Sequence, residues 1–181
     1  MAWPLLQRYG FSATVFLLAG HVGGRAEWDR EYGEPAPLMD WETIRRLAKE
    51  GVSFGSHSCS HRSLTTLSPA EFAKEAVRSR QILNEELGIS PQGFCFPYTD
   101  FSPAVIDAVK EAGYSYAAAG DVPRDFAHNP FALPRIEIRN DDDLDRFVAK
   151  LPAPLPSGKE RQDEYRRLRA LRDRATYFDF S

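Results

Sequence analysis

The sequence has few cysteines and no long apolar run. Two cysteines among 181 residues, Cys59 and Cys95, are too few for a disulfide framework, and their number indicates no oxidising compartment. The longest largely apolar run covers residues 13–19, which is too short to cross a bilayer and lacks the basic flank and cleavage site of a signal peptide. These features assign no cellular compartment to the chain.

No charge of one sign dominates either. The 23 basic and 26 acidic residues give a formal net charge of −3, which exerts no overall attraction on nucleic acid or on an anionic membrane. What the sequence does contain is apolar: 43% of its residues are hydrophobic and 12% are aromatic, with ordinary glycine and proline usage. The composition predicts a globular domain with no nucleic-acid partner and no membrane segment, and it leaves the oligomeric state open.

Apolar runs typical of strands alternate with segments typical of amphipathic helices. Strands are predicted at residues 11–19, 52–56, 93–96, 114–119 and 131–138. The first of them is almost continuously apolar, which favours a strand buried on both faces. Helices are predicted after the capping residues Asp40, Ser68 and Ser102, ending at Gly51, Gly88 and Gly113, with a short helix over residues 141–151. Strands and helices joined by short links predict parallel βαβ units and an α/β fold.

The C-terminal part of the sequence has a different character. Pro152, Pro154 and Pro156 predict a stiff, extended spacer, and the interleaved charges that follow predict a peripheral charged helix. We therefore expect one domain over residues 1–151, followed by a proline spacer and a charged helical tail over residues 152–181.

Two histidines in the segment His57-Ser-Cys-Ser-His61 directly follow a predicted strand. The carboxyl ends of parallel strands carry functional loops, and two histidines four apart on a helical turn would face the same way, close enough to share a metal ion. The spacing is also compatible with two unrelated loop histidines. A metal site needs a third ligand, and neither His21 nor His128 supplies one convincingly, while Cys59 is predicted to be a small buried residue.

A second segment, Phe94-Cys-Phe-Pro-Tyr98, also ends a predicted strand. Pro97 fixes the backbone where the chain leaves the strand, and the amide of Tyr98 is then a candidate donor to a developing oxyanion. The alternative is a strand that simply ends at a proline–aromatic turn.

Six segments together resemble a known family. In order along the chain they are Pro4-Leu-Leu-Gln-Arg-Tyr-Gly-Phe-Ser-Ala-Thr-Val-Phe16, Met39-Asp-Trp-Glu42 with the helix that follows to Gly51, Gly55-Ser-His-Ser-Cys-Ser-His61, Phe94-Cys-Phe-Pro-Tyr98, Glu111-Ala-Gly-Tyr114 and Leu133-Pro-Arg-Ile136. Each segment alone is unspecific, but the ordered set resembles the polysaccharide deacetylases of carbohydrate esterase family 4, the NodB-homology domain.

This resemblance implies a distorted (β/α) barrel and a divalent metal, usually zinc, held by two histidines and one aspartate. His57 and His61 match the two histidines. In the family, the metal polarises an N-acetyl carbonyl and activates water, an aspartate is the general base, and a backbone amide at the position of Tyr98 helps to hold the oxyanion. An N-acetylated glycan is the implied substrate, and we expect Phe96, Pro97 and Trp41 to contribute to its binding. The family often works outside the cytoplasm.

The sequence departs from the family pattern at several places. The family's base and metal-binding aspartates lie in a Thr-Phe-Asp-Asp segment upstream of the helix in which this chain begins, so the resemblance implies an N-terminally truncated domain without the first barrel strand. Cys95 stands where many members have an arginine, and no Leu-x-His segment follows. Arg135 is a candidate for the charge-orienting role of that arginine, the alternative being an arginine paired with Glu137 or solvent.

These departures leave several readings open. The first is a metal-dependent N-deacetylase that is impaired in this chain; the others are a non-catalytic glycan-binding domain and a hydrolase of another non-peptide carbon–nitrogen bond. Asp40, Asp100 and Asp121 are the acidic residues in the chain that could replace the metal carboxylate, although Asp40 is better explained as a helix cap and Asp121 as a turn residue. The sequence selects neither the polymer nor the metal.

Overall fold

Four short strands form a parallel sheet at the centre of the fold. The computed structural model describes residues 2–120, 122, 126 and 128–151. In it, β1 (Thr14–Leu17), β2 (Ser53–Ser56), β3 (Gly93–Cys95) and β4 (Tyr116–Ala118) lie side by side in chain order, and every neighbouring pair is parallel. The register pairs Leu17 with Ser56 and Cys95 with Ala118, which aligns the carboxyl ends of the strands along one edge of the sheet.

Among the described residues the chain forms five helices: α1 (Trp3–Arg8), α2 (Trp41–Lys49), α3 (Pro69–Leu87), α4 (Pro103–Glu111) and α5 (Leu144–Lys150). Local capping chemistry explains where three of them begin. The Asp40 carboxylate accepts from the amide of Thr43, Ser68 and Glu71 form a reciprocal capping box, and the hydroxyl of Ser102 accepts from an amide in the first turn of α4. The helix α3 ends at Gly88, whose φ of 64° lies in the left-handed region. The predicted helix positions are confirmed.

The buried apolar side chains form two clusters that share α3. One contains Phe94, Phe96 and Tyr114 together with Phe72 of α3, and the other contains Ile44, Phe54 and Leu83, the last also from α3. Each fully buried side chain of this size contributes about 1.5–3 kcal/mol to folding. Because α3 contributes to both clusters, it is fixed against the strands from which the loops of the sheet edge emerge.

The first strand is less buried than its composition predicts. Thr14 is exposed and Val15 and Phe16 are only half-buried, since β1 has β2 as its single neighbour among the described residues. The prediction of a strand buried on both faces is therefore wrong. The loop after β1 contains a 3₁₀ helix over residues Glu27–Tyr32.

The predicted strand at residues 131–138 is wrong as well. Leu133 makes one parallel bridge to Ala118, and its amide donates to Ala117 at 2.9 Å. Regular pairing stops there, since Arg135 donates to Gly120 at 3.4 Å, one residue out of register with the preceding bonds. The four-stranded parallel sheet confirms the α/β class; its closure into a barrel stays a prediction.

The chain divides into two compact units, one up to Arg135 and the other from Ile136 on. In the second unit, Lys150 of α5 donates to the carboxylate of Asp142 at 2.6 Å and to the carbonyl of Glu137 at 3.0 Å. The predicted spacer and tail at residues 152–181 and the predicted turn at Asp121 lie outside the described residues. No described helix is long and apolar enough to span a bilayer.

Candidate metal and substrate site

His57 lies where the carboxyl ends of three strands meet. Its amide donates to the carbonyl of Leu17 at 2.8 Å, and its Nδ1 lies 2.7 Å from the carbonyl oxygen of Cys95. A carbonyl oxygen can only accept, so Nδ1 carries the proton and the lone pair of the neutral ring is on Nε2. The bonds to β1 and β3 thus set both the orientation and the tautomer of this imidazole.

His61 lies beside His57 although the segment between them is not helical. The two ring centroids are 5.0 Å apart, with the ring planes at 63°. Ser58 and His61 have φ values of 70° and 57°, so the chain makes a left-handed turn instead of the helical turn that the spacing predicts. The helical premise was wrong, but the structure does bring the two imidazoles together.

Two further aromatic side chains flank His61. The hydroxyl of Tyr98 lies 3.1 Å from His61 Nδ1 with the ring centroids 4.6 Å apart, and the Trp28 ring is 4.5 Å from that of His61. Tyr98 follows β3 in a tight turn and has a φ of 56°. Its side chain is 61% exposed, so the predicted catalytic Tyr98 is accessible at the same edge of the sheet as the histidines.

Burial keeps both imidazoles uncharged at neutral pH. It lowers the pKa of His57 to about 4, against which the bond to the Cys95 carbonyl acts, while the nearby His61 and Arg135 lower the pKa further. Burial also lowers the pKa of His61, partly offset by the negative charge of Asp29. Neutral imidazole is the form that binds a metal, so this electrostatic environment suits metal ligation.

The pair has the donor chemistry of a partial zinc site. The Nδ1–H of His57 is donated to a carbonyl and its Nε2 is left with the lone pair, which is the arrangement usual for zinc-bound histidines. Over the part of the chain that the structure describes, however, no group of three or more His, Cys, Asp and Glu side chains is arranged to hold a metal. His57 and His61 therefore fit a zinc ion as two of its ligands and need further donors.

The other candidate ligands are engaged elsewhere. Asp40 caps α2, and Asp100 accepts from the hydroxyls of Ser63 and Thr65. His21 packs edge-on against Trp28, 5.9 Å between ring centroids, and His128 is exposed. Asp121 lies outside the described residues.

Cys59 is half-buried, not fully buried as predicted. Burial together with the negative charge of Glu75 raises the pKa of its thiol to about 11. At neutral pH the residue is therefore a thiol and not the thiolate that binds metals.

Arg135 lies at the same edge of the sheet as His57. Its Nε donates to the carbonyl of Ala119 at 2.9 Å, and its guanidinium is 5.9 Å from the ring centre of Phe16 on β1. The guanidinium beside Cys95 lowers the pKa of that thiol, but burial has the larger effect and raises it overall. The positive charge of Arg135 thus reaches both Cys95 and His57, and its charge-orienting role stays a prediction.

Two of the predicted substrate-binding side chains lie in the core instead. Phe96 is 1% exposed and packs against Phe94 and Phe101, and Pro97 is also fully buried. Trp41 is half-buried on α2, where it packs against the cluster around Ile44 and under the guanidinium of Arg45. The expectation that Phe96 and Pro97 present side chains to a glycan is not met.

Trp28 lies at the candidate site, although the sequence did not predict it there. A cavity of about 280 Å³ beside the imidazole pair is lined by His57, His61 and Trp28 and by apolar side chains that include Phe16, Leu18 and Met39. Trp28 belongs to the 3₁₀ helix Glu27–Tyr32, in the long loop after β1. The available signal was a tryptophan in a glycine-rich loop that leaves the carboxyl end of a strand.

Sequence comparison relates the chain to one family. The sequence model of that family, the polysaccharide deacetylases, matches residues 2–117, more than half of the chain. The poly-β-1,6-N-acetyl-D-glucosamine N-deacetylase of Staphylococcus aureus (strain MRSA252) is 23% identical over 150 residues, which cover 77% of this chain and 50% of that protein. The chain spans about half the length of the curated relatives it matches.

Solved structures share the fold. The deacetylase PplD of Streptococcus pyogenes, solved in complex with acetate, matches with a TM-score of 0.67 and 20% identity, over 84% of this chain and 64% of that one. IcaB from Ammonifex degensii matches with a TM-score of 0.66 and 21% identity, over 82% of this chain and 65% of that one. These likenesses confirm the predicted α/β fold with a parallel sheet of this type.

Proposed function

The chain belongs to the polysaccharide deacetylase family, and from this premise we propose that it is a metal-dependent hydrolase that removes N-acetyl groups from a polysaccharide or oligosaccharide. The observation that supports the proposal is the imidazole pair at the carboxyl edge of the sheet. The rings of His57 and His61 lie 5.0 Å apart, and the bond from His57 Nδ1 to the Cys95 carbonyl leaves its Nε2 free. Two of the three protein ligands that a catalytic zinc site needs are thereby oriented.

The residues at this edge of the sheet have distinct roles in this proposal. His57 and His61 would hold the metal, which when bound supplies Lewis acidity to an acetamide carbonyl and lowers the pKa of water. The backbone amide of Tyr98 donates to the oxygen of the acetyl group, and the fixed charge of Arg135 favours negative charge at the site. Charge at the imidazole pair is stabilised more strongly where water is excluded, which the apolar lining of the cavity beside the pair favours.

Trp28 is the side chain we assign to the sugar ring. Its ring lies 4.5 Å from that of His61 and lines the same cavity, so a pyranose placed on it would hold its acetamido group near the imidazole pair. A large, flat and mainly apolar side chain with a polar edge suits the apolar face of a sugar. The N-acetylglucosamine polymer of the Staphylococcus aureus relative is accordingly the first substrate class to test.

A second candidate function is glycan binding without hydrolysis. It is favoured by the absence of any third metal donor beside His57 and His61 among the described residues. With two imidazoles alone, zinc affinity falls, and with it the fraction of the protein that carries an activated water. For the same reason we expect slow hydrolysis by the 181-residue chain.

Acetate release and glycan binding distinguish the two candidates. The chain is incubated with β-1,6- and β-1,4-linked N-acetylglucosamine oligomers, with zinc or with a chelator, and acetate is measured. We expect slow, zinc-dependent release that His57→Ala and His61→Ala abolish and His128→Ala, at an exposed histidine, retains. Release that persists in chelator or in His57→Ala contradicts the deacetylase proposal, whereas saturable oligomer binding with no acetate supports the binding domain.

A further inference from the structure

The loop that carries the imidazole pair is held by a carboxylate from a different element. Glu75 lies on α3, and its Oε2 accepts from the amides of Cys59 at 2.8 Å and Ser60 at 3.0 Å. Its Oε1 accepts from the hydroxyl of Ser60 at 2.7 Å. One half-buried side chain thus accepts three hydrogen bonds from the two residues midway between His57 and His61.

This loop needs such support because of its own conformation. Ser58 and His61 both have positive φ, which costs free energy for residues with a side chain. The turn contains bonds of its own, from the amide of His61 to the Ser58 hydroxyl at 3.3 Å and from the amide of Ser58 to the Ser56 hydroxyl at 3.2 Å. Neither of these bonds restrains the amides of residues 59 and 60, which Glu75 binds.

A second contact from α3 holds the start of the same loop. The Ser56 hydroxyl donates to the hydroxyl of Ser79, one helical turn after Glu75, and both serines are fully buried. The hydroxyl of Ser79 also lies 3.0 Å from that of Tyr114. Ser79 thus fixes the chain before His57, while Glu75 holds the amides of the segment that leads on to His61, whose carbonyls at Ser58 and Cys59 accept from the chain leaving β1.

We propose that Glu75 is a positioning residue that sets the separation and orientation of His57 and His61 for metal binding. The inference rests on the proposed function, because it assigns Glu75 to the same site. Glu75 touches neither the metal nor the substrate and acts through the backbone of residues 59 and 60. Both oxygens of a carboxylate are acceptors, so this one side chain can receive all three bonds from residues 59 and 60.

Substitutions of Glu75 distinguish the effect of its hydrogen bonds from the effect of its charge. Glu75→Gln retains one oxygen that can accept from both amides, and its amide NH₂ can donate to the Ser60 hydroxyl, which then accepts, so the contacts are kept without the charge. Glu75→Ala removes all three bonds, and Glu75→Asp withdraws the carboxylate by one methylene. Glu85→Ala changes an exposed glutamate on the same helix and is the matched control.

The experiment measures zinc affinity by calorimetry and, in metal-free protein, the NMR signals of the Cys59 and Ser60 amides and of the two imidazoles. We expect Glu75→Ala to weaken zinc binding about 10- to 100-fold, the usual effect of losing support behind a metal ligand, and to shift these signals, while Glu75→Gln and Glu85→Ala stay near the parent protein. Unchanged affinity and unshifted amide signals in Glu75→Ala overturn the proposal. A Glu75→Gln variant that binds zinc as weakly as Glu75→Ala also overturns the proposal, because the negative charge of Glu75, and not its hydrogen bonds, would then determine zinc affinity.

The proposal can still be tested if Glu75→Ala does not fold or if the parent chain does not bind zinc. If Glu75→Ala does not fold, Ser60→Ala and Glu75→Asp remove part of the same contact, and the same signals decide. If the parent chain itself does not bind zinc, the proposed function fails, whereas the metal-free NMR signals still show whether Glu75 positions the imidazoles.

Discussion

The Nδ1 of His57 donates to the carbonyl oxygen of Cys95 over 2.7 Å, and this bond joins the ends of β2 and β3. The acceptor that orients the ring is a backbone carbonyl, so no side-chain substitution at position 95 removes it. The bond also assigns the proton of the neutral ring to Nδ1 and the lone pair to Nε2. The side chain of Cys95 therefore has no part in orienting this histidine.

The first prediction concerns pH. Burial lowers the pKa of His57 from 6.5 to about 4, so between these values the unfolded chain binds a proton at this residue that the folded chain does not. The free energy of unfolding of the metal-free protein should therefore fall as the pH is lowered from 6.5 to 4, with His57 contributing at most about 3 kcal/mol. Urea unfolding at several pH values in the presence of a chelator measures this dependence.

His57→Asn is the comparison for that experiment. The Asn side chain can still donate to the Cys95 carbonyl but does not titrate, so its unfolding free energy should vary less with pH than that of the parent protein. Carboxylates whose pKa is lowered in the folded state, such as Asp142, also lose stabilisation in acid, but they do so in both proteins. Identical pH dependence in the two proteins would show that His57 does not titrate as described.

The second prediction compares two tryptophans. Trp28 lines the cavity beside His61, whereas Trp41 packs against the apolar cluster around Ile44. Trp28→Ala should weaken binding of N-acetylglucosamine oligomers about 5- to 30-fold, the effect of losing about 1–2 kcal/mol, with little change in stability. Trp41→Ala should lower the free energy of unfolding by about 1–3 kcal/mol, less than for a fully buried tryptophan, and leave oligomer affinity unchanged.

Calorimetric titration with the oligomers and urea unfolding test both variants. The reverse pattern, in which Trp41→Ala loses oligomer affinity and Trp28→Ala does not, would support Trp41 as the substrate-binding residue that the sequence predicts and would exclude Trp28 from the site.

The third prediction concerns the aspartates that could replace a missing metal carboxylate. Asp40 accepts from the amide of Thr43 at the start of α2, and Asp100 accepts from the hydroxyls of Ser63 and Thr65. Asp40→Ala and Asp100→Ala should each lower the melting temperature, because a cap or a pair of hydroxyl bonds is lost, and leave zinc affinity unchanged. A fall of about tenfold in zinc affinity for either variant, equivalent to about 1.4 kcal/mol, would identify that aspartate as a ligand.

Features with local causes were predictable from the sequence. The capping residues Asp40, Ser68 and Ser102 act within one helical turn, so the starts of α2, α3 and α4 follow from neighbouring residues alone. The proximity of His57 and His61 was also predicted, although for the wrong local geometry, because both follow the end of one strand. Burial of Phe96 was missed, since a residue next to a turn can face either the core or the cavity.

Features with long-range causes were not predictable. Trp28 reaches the imidazole pair because a 3₁₀ helix folds back from a loop whose sequence has no hydrophobic periodicity. Glu75 binds a loop fifteen residues earlier in the chain, and the hydrophobic pattern of α3 does not indicate this contact. The strand predicted at 131–138 has the right composition, but regular pairing stops near Pro134, so β propensity alone overestimates it.

The last prediction uses the close approach of Gly20 to the histidine loop. The amides of Ala19 and Gly20 donate to the carbonyls of Ser58 and Cys59, each at 3.1 Å, so the chain leaving β1 runs directly against this loop. A Cβ at position 20 would lie 2.7 Å from the carbonyl oxygen of Cys59, and a backbone atom cannot rotate away as a side chain can. Gly20→Ala must therefore displace either the exit of β1 or the segment between His57 and His61.

We expect Gly20→Ala to lower the free energy of unfolding by about 1–3 kcal/mol and, in addition, to weaken zinc binding, because the displaced backbone carries both imidazoles. Ala108→Val is the control, since it adds volume to the buried face of α4 in the cluster around Phe94 and leaves the loop untouched. The control should lose stability without losing zinc affinity. Calorimetry on both folded variants measures their zinc affinity. If Gly20→Ala binds zinc as tightly as Ala108→Val, the added methyl group has displaced the end of β1 and not the histidine loop, and contacts from α3 and β3 alone set the geometry of that loop.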